Sequence, residues 1–275
     1  MMKTVNSISG GKTSAFMAVN YPADIELFSL VCIEAEYCKP KDKGLVQFVS
    51  DKLGKDFIAT AESDKTLIVV RDLEQLLGRK INWVVGETFE KITKRTNGYF
   101  LPNVFNRMCT TEMKMKPIFD FCQKEVGEIV EMQVGFRWDE KERGERNKDN
   151  TRFKTIIGQS ENGRNKWGEI EWRKMAFPLI DNRVSHYEVY QWSQNSGLDF
   201  PADSNCVGCF HKPYQQLRKN WDDEPLKMKW FADMEKKAKA QWKKETSYKN
   251  IKKIGLQQDF FFGTGSGCNG GFCTD

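Results

Sequence analysis

The chain has 275 residues, 39% of them apolar, with 19 Phe and 8 Trp, enough to bury a sizeable core and exclude global disorder. With 21 Gly and 8 Pro, collagen-like and low-complexity classes are excluded as well. The net charge of +5 is unevenly placed: Lys212 to Lys253 carries 13 Lys/Arg against 6 Asp/Glu.

In chain order, Thr4 to Ile8 contains β-branched residues and reads as a first strand. Ser9-Gly10-Gly11-Lys12-Thr13-Ser14 reads as a turn, and Ala15 to Val19 begins a helix. Ile25 to Ile33 is a buried-strand run, and Leu45 to Leu53 has helical spacing. Phe57 to Thr60 and Leu67 to Val70 read as short strands, with a helical turn over Leu73 to Leu77. Met115 to Val126 reads as a helix entered through Pro117, and Glu128 to Phe136 as another strand. Strands alternating with helices predict a doubly wound parallel sheet.

Asp139 to Lys174 is charged and poor in aliphatics, which predicts a long, mobile surface excursion. Ala176 to Ile180 returns to the core, Tyr187 to Ser193 reads as a helix, and Lys227 to Ile254 as one or two basic helices. A Gly-rich tail, Gly263 to Asp275, follows. No internal repeat is present. The apolar runs are too short to span a membrane, and no leader-like apolar region follows Lys3, so the expectation is a cytoplasmic protein.

Eight cysteines are expected to stay reduced there. Cys206/Cys209 and Cys268/Cys273 form close pairs, a spacing that suits metal or redox chemistry better than a disulfide scaffold. Cys32, Cys38 and Cys122 lie in or beside core elements and are expected to be inert.

Glycines in the first strand-to-helix turn let the backbone approach an anion, and the following helix N-terminus holds phosphate. Lys12 adds a cation, and Ser9, Thr13 and Ser14 add hydroxyls. The Walker A spacing is absent, so the choice lies between another phosphate loop and an ordinary βα turn. Arg137 and Arg143 follow a strand end, where guanidinium forks bind phosphate or sulfate, unless they are a solvated charged loop. Glu34, also after a strand end, reads either as a Mg²⁺ ligand beside a triphosphate or as a plain loop acid.

Ser-Gly-Gly-Lys-Thr-Ser after an N-terminal strand resembles the PP-loop of N-type ATP pyrophosphatases, with Thr13 where that family usually has Asp. Three later stretches resemble its phosphoadenosine phosphosulfate (PAPS) reductase-like branch. They are Arg107 to Pro117, Gly135 to Arg143, and Cys206-Val207-Gly208-Cys209. The resemblance implies an α/β, parallel-sheet, doubly wound PP-loop (HUP-like) domain over residues 1–185. A partly helical, basic, cysteine-containing extension then covers 186–275. It implies an adenine nucleotide, ATP or PAPS-like, with Mg²⁺, on Ser7, Ser9, Gly10, Gly11, Lys12, Thr13, Ser14, Ile33, Glu34, Lys114, Gly135 and Arg137. Lys12, Arg137, Arg143 and Cys273 would carry the chemistry.

Cys109, Cys206 and Cys209 occupy the branch's ligand positions for a [4Fe–4S] cluster. A tail cysteine would be the fourth ligand, or one iron would stay open to carry sulfide. Zinc, with His211 completing the set, and plain buried cysteines are the alternatives. The tail with Cys268 and Cys273 reads either as a mobile nucleophile arm or as an unordered terminus. The basic segment 212–253 interleaves Tyr214, Trp221, Trp230, Trp242 and Tyr248, which suits nucleic acid, although Trp230, Met234, Ala238 and Trp242 also form a helical core stripe. The branch implies either ATP-driven sulfur transfer to a nucleic acid or nucleotide, or reduction of PAPS or adenylyl sulfate; a non-catalytic nucleotide-binding regulator is the third reading. A thiol or sulfur donor protein and a second copy of the chain complete the expected partners.

Overall fold

The computed structural model describes residues 2–96, 98–202 and 204–255. Its longer strands are β1 (Thr4–Ile8), β2 (Ile25–Leu30), β3 (Ile81–Val85), β4 (Val130–Gln133), β5 (Arg152–Gln159), β6 (Asn165–Glu171) and β7 (Arg173–Ala176). Five of them form one sheet in the order β7-β4-β1-β2-β3, and every pairing in it is parallel. Val5 of the central strand lies opposite Ile25 on one side and Met132 on the other.

The helices are α1 (Lys12–Asn20), α2 (Lys43–Leu53), α3 (Asp64–Leu77), α4 (Lys116–Glu125), α5 (Lys141–Asn147), α6 (His186–Asn195), α7 (Tyr214–Asp223), α8 (Pro225–Ala238) and α9 (Tyr248–Ile251), with shorter turns between. Successive strand residues face opposite sides. Ile8, Phe28 and Leu30 therefore pack with Ala15 of α1, Leu45 of α2 and Leu67 of α3. Val5 and Leu27 pack on the other face with Ile118 and Phe119 of α4. Helices on both faces of a parallel sheet make an α/β fold of Rossmann-like type.

Capping explains the helix ends. Asp42 accepts from the N–H groups of Gly44 and Leu45 to start α2, which stops at left-handed Gly54. Ser63 accepts from Lys65 N to start α3, which stops at left-handed Gly78. Leu67 to Val70, expected as a strand, lies inside α3. Its β-branched residues belong to a longer helical stripe, in which Thr66, Leu67, Val69, Val70 and Leu73 are buried. The long run from Ile25 breaks at Val31, and Cys32–Ile33 pairs antiparallel with Ala59–Thr60 instead. Edge strand β3, Ile81-Asn82-Trp83-Val84-Val85, is an addition to the expected strands.

The segment expected as a mobile excursion is also ordered. It forms α5 and the β5–β6 hairpin. Register sets Arg152 against Glu171 and Lys154 against Glu169, opposite charges on facing strands. Phe153 anchors the hairpin by stacking on Phe119, with ring centres 4.8 Å apart.

Helices α7 to α9 share one apolar cluster with Val31, Ala61, Phe89, Leu101 and Met113 from the first half of the chain. Trp221, Trp230, Trp242 and Tyr248 are buried there, so these four rings are packing residues and cannot stack on bases. Their polar ends are matched: Trp221 Nε1 donates to Tyr248 O, Trp242 Nε1 to Phe231 O, and the Tyr248 hydroxyl to Gly208 O, each at 2.9 Å. A Cβ on Gly208 would lie 2.3 Å from the buried Phe231 ring. Gly208→Ala is therefore expected to lower stability by about 1–3 kcal/mol, read as a shift in the denaturation midpoint. Among the described residues no helix is long and apolar enough to cross a membrane.

Candidate functional site

The chain leaves β1 toward β2 on one side, while β4 lies on the other. Open parallel sheets bind ligands beyond the strand carboxyl ends at such a reversal. Two loops meet there. In the first, Gly10 has φ +72°, and a Cβ on it would lie 2.5 Å from Thr66 Cγ2. Gly11 is the N-cap of α1, with extended backbone and no side-chain cap, and the first turn holds no acid. The opening N–H groups of α1 are thus placed for an anion. Ser14 Oγ accepts from Ser9 N at 3.1 Å, donates to Gly11 O at 3.1 Å and lies 3.0 Å from Ser9 Oγ. That hydroxyl braces the loop from within. Lys12 Nζ lies 5.4 Å from the centre of the Tyr190 ring on α6. Ser7 and Ile33, two expected nucleotide contacts, have buried side chains.

The second loop follows β4. A Cβ on Gly135 would lie 3.4 Å from Ser14 N, so the two loops touch. Arg137 Nη1 donates to Thr13 Oγ1 at 3.2 Å. Arg137 also pairs with Asp139 and Glu140 at 3.2 Å each, and Arg143 reaches the other oxygen of Glu140 at 3.1 Å. The Arg143 guanidinium lies over the Phe136 ring at 4.1 Å. Both arginines are held in place, not waving on a solvated loop.

Beside these loops, a small cavity of about 50 Å³, open to solvent, is lined by Arg107, Cys109, Lys114, Cys206, Cys209 and His211, with four further residues. Cys109 comes from the turn Met108–Thr110, which continues through Thr111–Met115 into α4. Cys206 and Cys209 come from one tight turn, closed by Cys209 N donating to Cys206 O at 3.0 Å. Val207 N donates to Ala61 O at 2.8 Å and docks that turn on the core. Burial pushes the Cys109 thiol up to about 11, and Cys209 adds to the shift. Burial also raises Cys206 well above an ordinary thiol, with Glu62 adding. His211 is pushed down to about 4 by burial, then by Arg107 and Lys243, so its imidazole is neutral at pH 7. Arg107 is lowered mainly by burial, with Arg143 lowering it further.

Glu62 is a site residue that sequence reasoning missed. It is fully buried, and Lys114 Nζ lies 3.1 Å from its Oε1. Lys227 Nζ donates to Glu62 O and to Asp64 Oδ1. The signal was an acid directly after the apolar run that ends at Ala61, just ahead of the Ser63 cap. Lys114, expected on the nucleotide, lines the thiol cavity. Glu34, expected beside Mg²⁺, accepts from Thr88 Oγ1 at 2.6 Å, and its N–H donates to Glu90 at 3.1 Å. These bonds tie it to the segment 88–90, and no step is assigned to it.

Three thiols and an imidazole on one cavity are a donor set suited to zinc or an iron–sulfur cluster. Among the described residues, no three such side chains already stand as a metal cage. Cys268 and the expected nucleophile Cys273 lie outside the described residues. Cys32 and Cys122 are pushed up to about 12, and Cys38 to about 11, all by burial, in line with inert thiols. Comparison with family models, curated proteins and solved structures finds no match in any of the three.

Proposed function

We propose that this protein is a PP-loop enzyme of the PAPS reductase-like kind, which binds ATP on residues 9–14 and uses it to drive sulfur transfer at the cysteine cavity. The observation that carries the reading is the short stretch of chain that joins the two parts. A Cβ on Gly11 would lie 2.8 Å from Ser204 Oγ, while Asn205 and Cys206 line the cavity. In this reading the triphosphate lies on the N-terminus of α1. Lys12 and Arg137 then offset the charge that develops as the bond between the α and β phosphates breaks. Arg143 and Glu140 hold Arg137 in position. Cys109, Cys206 and Cys209 would hold an iron–sulfur cluster, or with His211 a zinc ion. Bound, either keeps the thiols deprotonated at pH 7 against the burial that raises them.

The clustering of Arg137, Arg143 and Arg107 favours a second reading, because guanidinium forks suit sulfate as well as phosphate. That enzyme would reduce an adenylyl sulfate with electrons from a dithiol protein and would not cleave ATP.

Anaerobic purification with iron, zinc and sulfide analysis, followed by assay of pyrophosphate release from ATP with bulk nucleic acid as acceptor, tests the proposal. Bound metal and ATP-dependent pyrophosphate are expected. Dithiol-dependent sulfite release from an adenylyl sulfate, without ATP cleavage, selects the second reading. Lack of nucleotide binding ends both. Cys206→Ser is expected to lose most of the bound metal, and a variant that keeps one equivalent sinks the three-cysteine site.

A further inference from the structure

The loop from Leu101 to Asn106 has no part in the nucleotide or thiol chemistry described so far, and Arg107, which follows it, lines the thiol cavity. Its Asn103 carboxamide accepts from Phe105 N at 2.9 Å and Asn106 N at 3.0 Å. Asn103 N also donates to Asn106 O at 3.0 Å. The turn holds Phe105 outward, 85% exposed, beside exposed Val104. One cation stands over this ring. Lys244 Nζ lies 5.6 Å from its centre, and Arg95 stands over the neighbouring Phe100 ring at 6.0 Å. Lys243, next in the chain to Lys244, places its Nζ 4.8 Å from the centre of the Tyr214 ring. Glu245, the acid next to that pair, accepts from the Tyr214 hydroxyl at 2.5 Å.

We propose that the Phe105 loop, together with Lys243 and Lys244, is the docking surface for a single-stranded nucleic acid. Phe105 stacks on an unpaired base, the lysines take the adjoining phosphates, and the strand is led toward the cysteine cavity. The chemistry selects this occupant. An exposed ring flanked by positive charge is the arrangement that stacks bases while tracking a phosphate backbone. A protein partner would be met by a wider apolar patch with mixed charge at its rim. Duplex is disfavoured because its base faces are already covered. The surface itself stands on its own geometry; only the delivery of a base to the cavity rests on the sulfur-transfer reading.

The test is fluorescence anisotropy of the full chain with labelled single-stranded DNA and RNA oligonucleotides, and with duplex DNA, across a salt series. Wild type is expected to bind a single strand more tightly than duplex. Phe105→Ala is expected to weaken that binding roughly tenfold or more, and Phe105→Trp to restore it, with ATP affinity unchanged in both. Lys244→Ala is expected to reduce the slope of log affinity against log salt by about one. A Phe105→Ala variant that binds like wild type overturns the proposal. So does a preference for duplex, or loss of a dithiol protein partner with oligonucleotide affinity intact. Oligonucleotide binding that survives in a chain unable to bind ATP overturns the sulfur-transfer reading and leaves this surface standing.

Discussion

Lys12→Ala is expected to reduce ATP-dependent pyrophosphate release by about 100- to 1,000-fold, the loss typical when one preorganised charge partner is removed from a developing anion. Lys12 opens α1 directly after the two glycines, where the peptide N–H groups point toward the same anion. Backbone donors would hold the ground-state triphosphate, so ATP affinity should fall much less than turnover. The difference separates a group that acts in the transition state from one that only binds. The fold should persist, because the attraction between the Lys12 ammonium and the Tyr190 ring is worth only about 0.5–1 kcal/mol at a partly exposed site. Pyrophosphate release and thermal denaturation, measured on the same preparation, check both halves. Undiminished turnover would remove Lys12 from the chemistry.

Lys114→Met is expected to cost about 3–5 kcal/mol of stability, the usual penalty for leaving one member of a buried ion pair without its partner. Glu62 has no access to solvent, and neither of its carboxylate oxygens makes an aligned hydrogen bond among the described residues. Lys114 supplies the charge facing that carboxylate at 3.1 Å, and its own side chain keeps a path to solvent through the cavity. Removing Lys114 therefore strands a buried anion, whereas removing Glu62 leaves a lysine that can reach water. The double variant Glu62→Gln/Lys114→Met should recover most of the loss. Denaturant midpoints of the two singles and the double measure the coupling directly. A loss below about 1 kcal/mol for Lys114→Met would show that the pair does not stabilise the fold.

The parts of the molecule visible in the sequence are those set by neighbours in the chain. Ser9 to Ser14 was legible because a strand, two glycines and a helix start fall within a few residues of one another. The parallel sheet was legible from alternating strand and helix patterns. Leu67 to Val70 was misread because four β-branched and apolar residues look like a strand until the stripe is followed to Leu73. The β5–β6 hairpin was hidden by composition: its side chains are mostly exposed and polar, and Phe153 anchors it on Phe119 of the distant helix α4 rather than through a run of aliphatics. Cys109, Cys206 and Cys209 were named through the resemblance, and the fold brings them to one cavity. Glu62 was invisible because a buried carboxylate becomes meaningful only when Lys114 and Lys227 arrive from remote segments.

The strand of chain from Ser204 to Cys206 has a thermodynamic meaning. It presses on Gly11 at one end and carries a thiol of the cavity at the other. A ligand that moves this segment at either end changes the free energy of binding at the other. Linkage makes that influence reciprocal: if a nucleotide on residues 9–14 tightens the cavity's ligand by some factor, that ligand tightens the nucleotide by the same factor. Couplings of this kind run to about 1–3 kcal/mol. Occupancy of the two sites would then rise and fall together, or in opposition, but not independently.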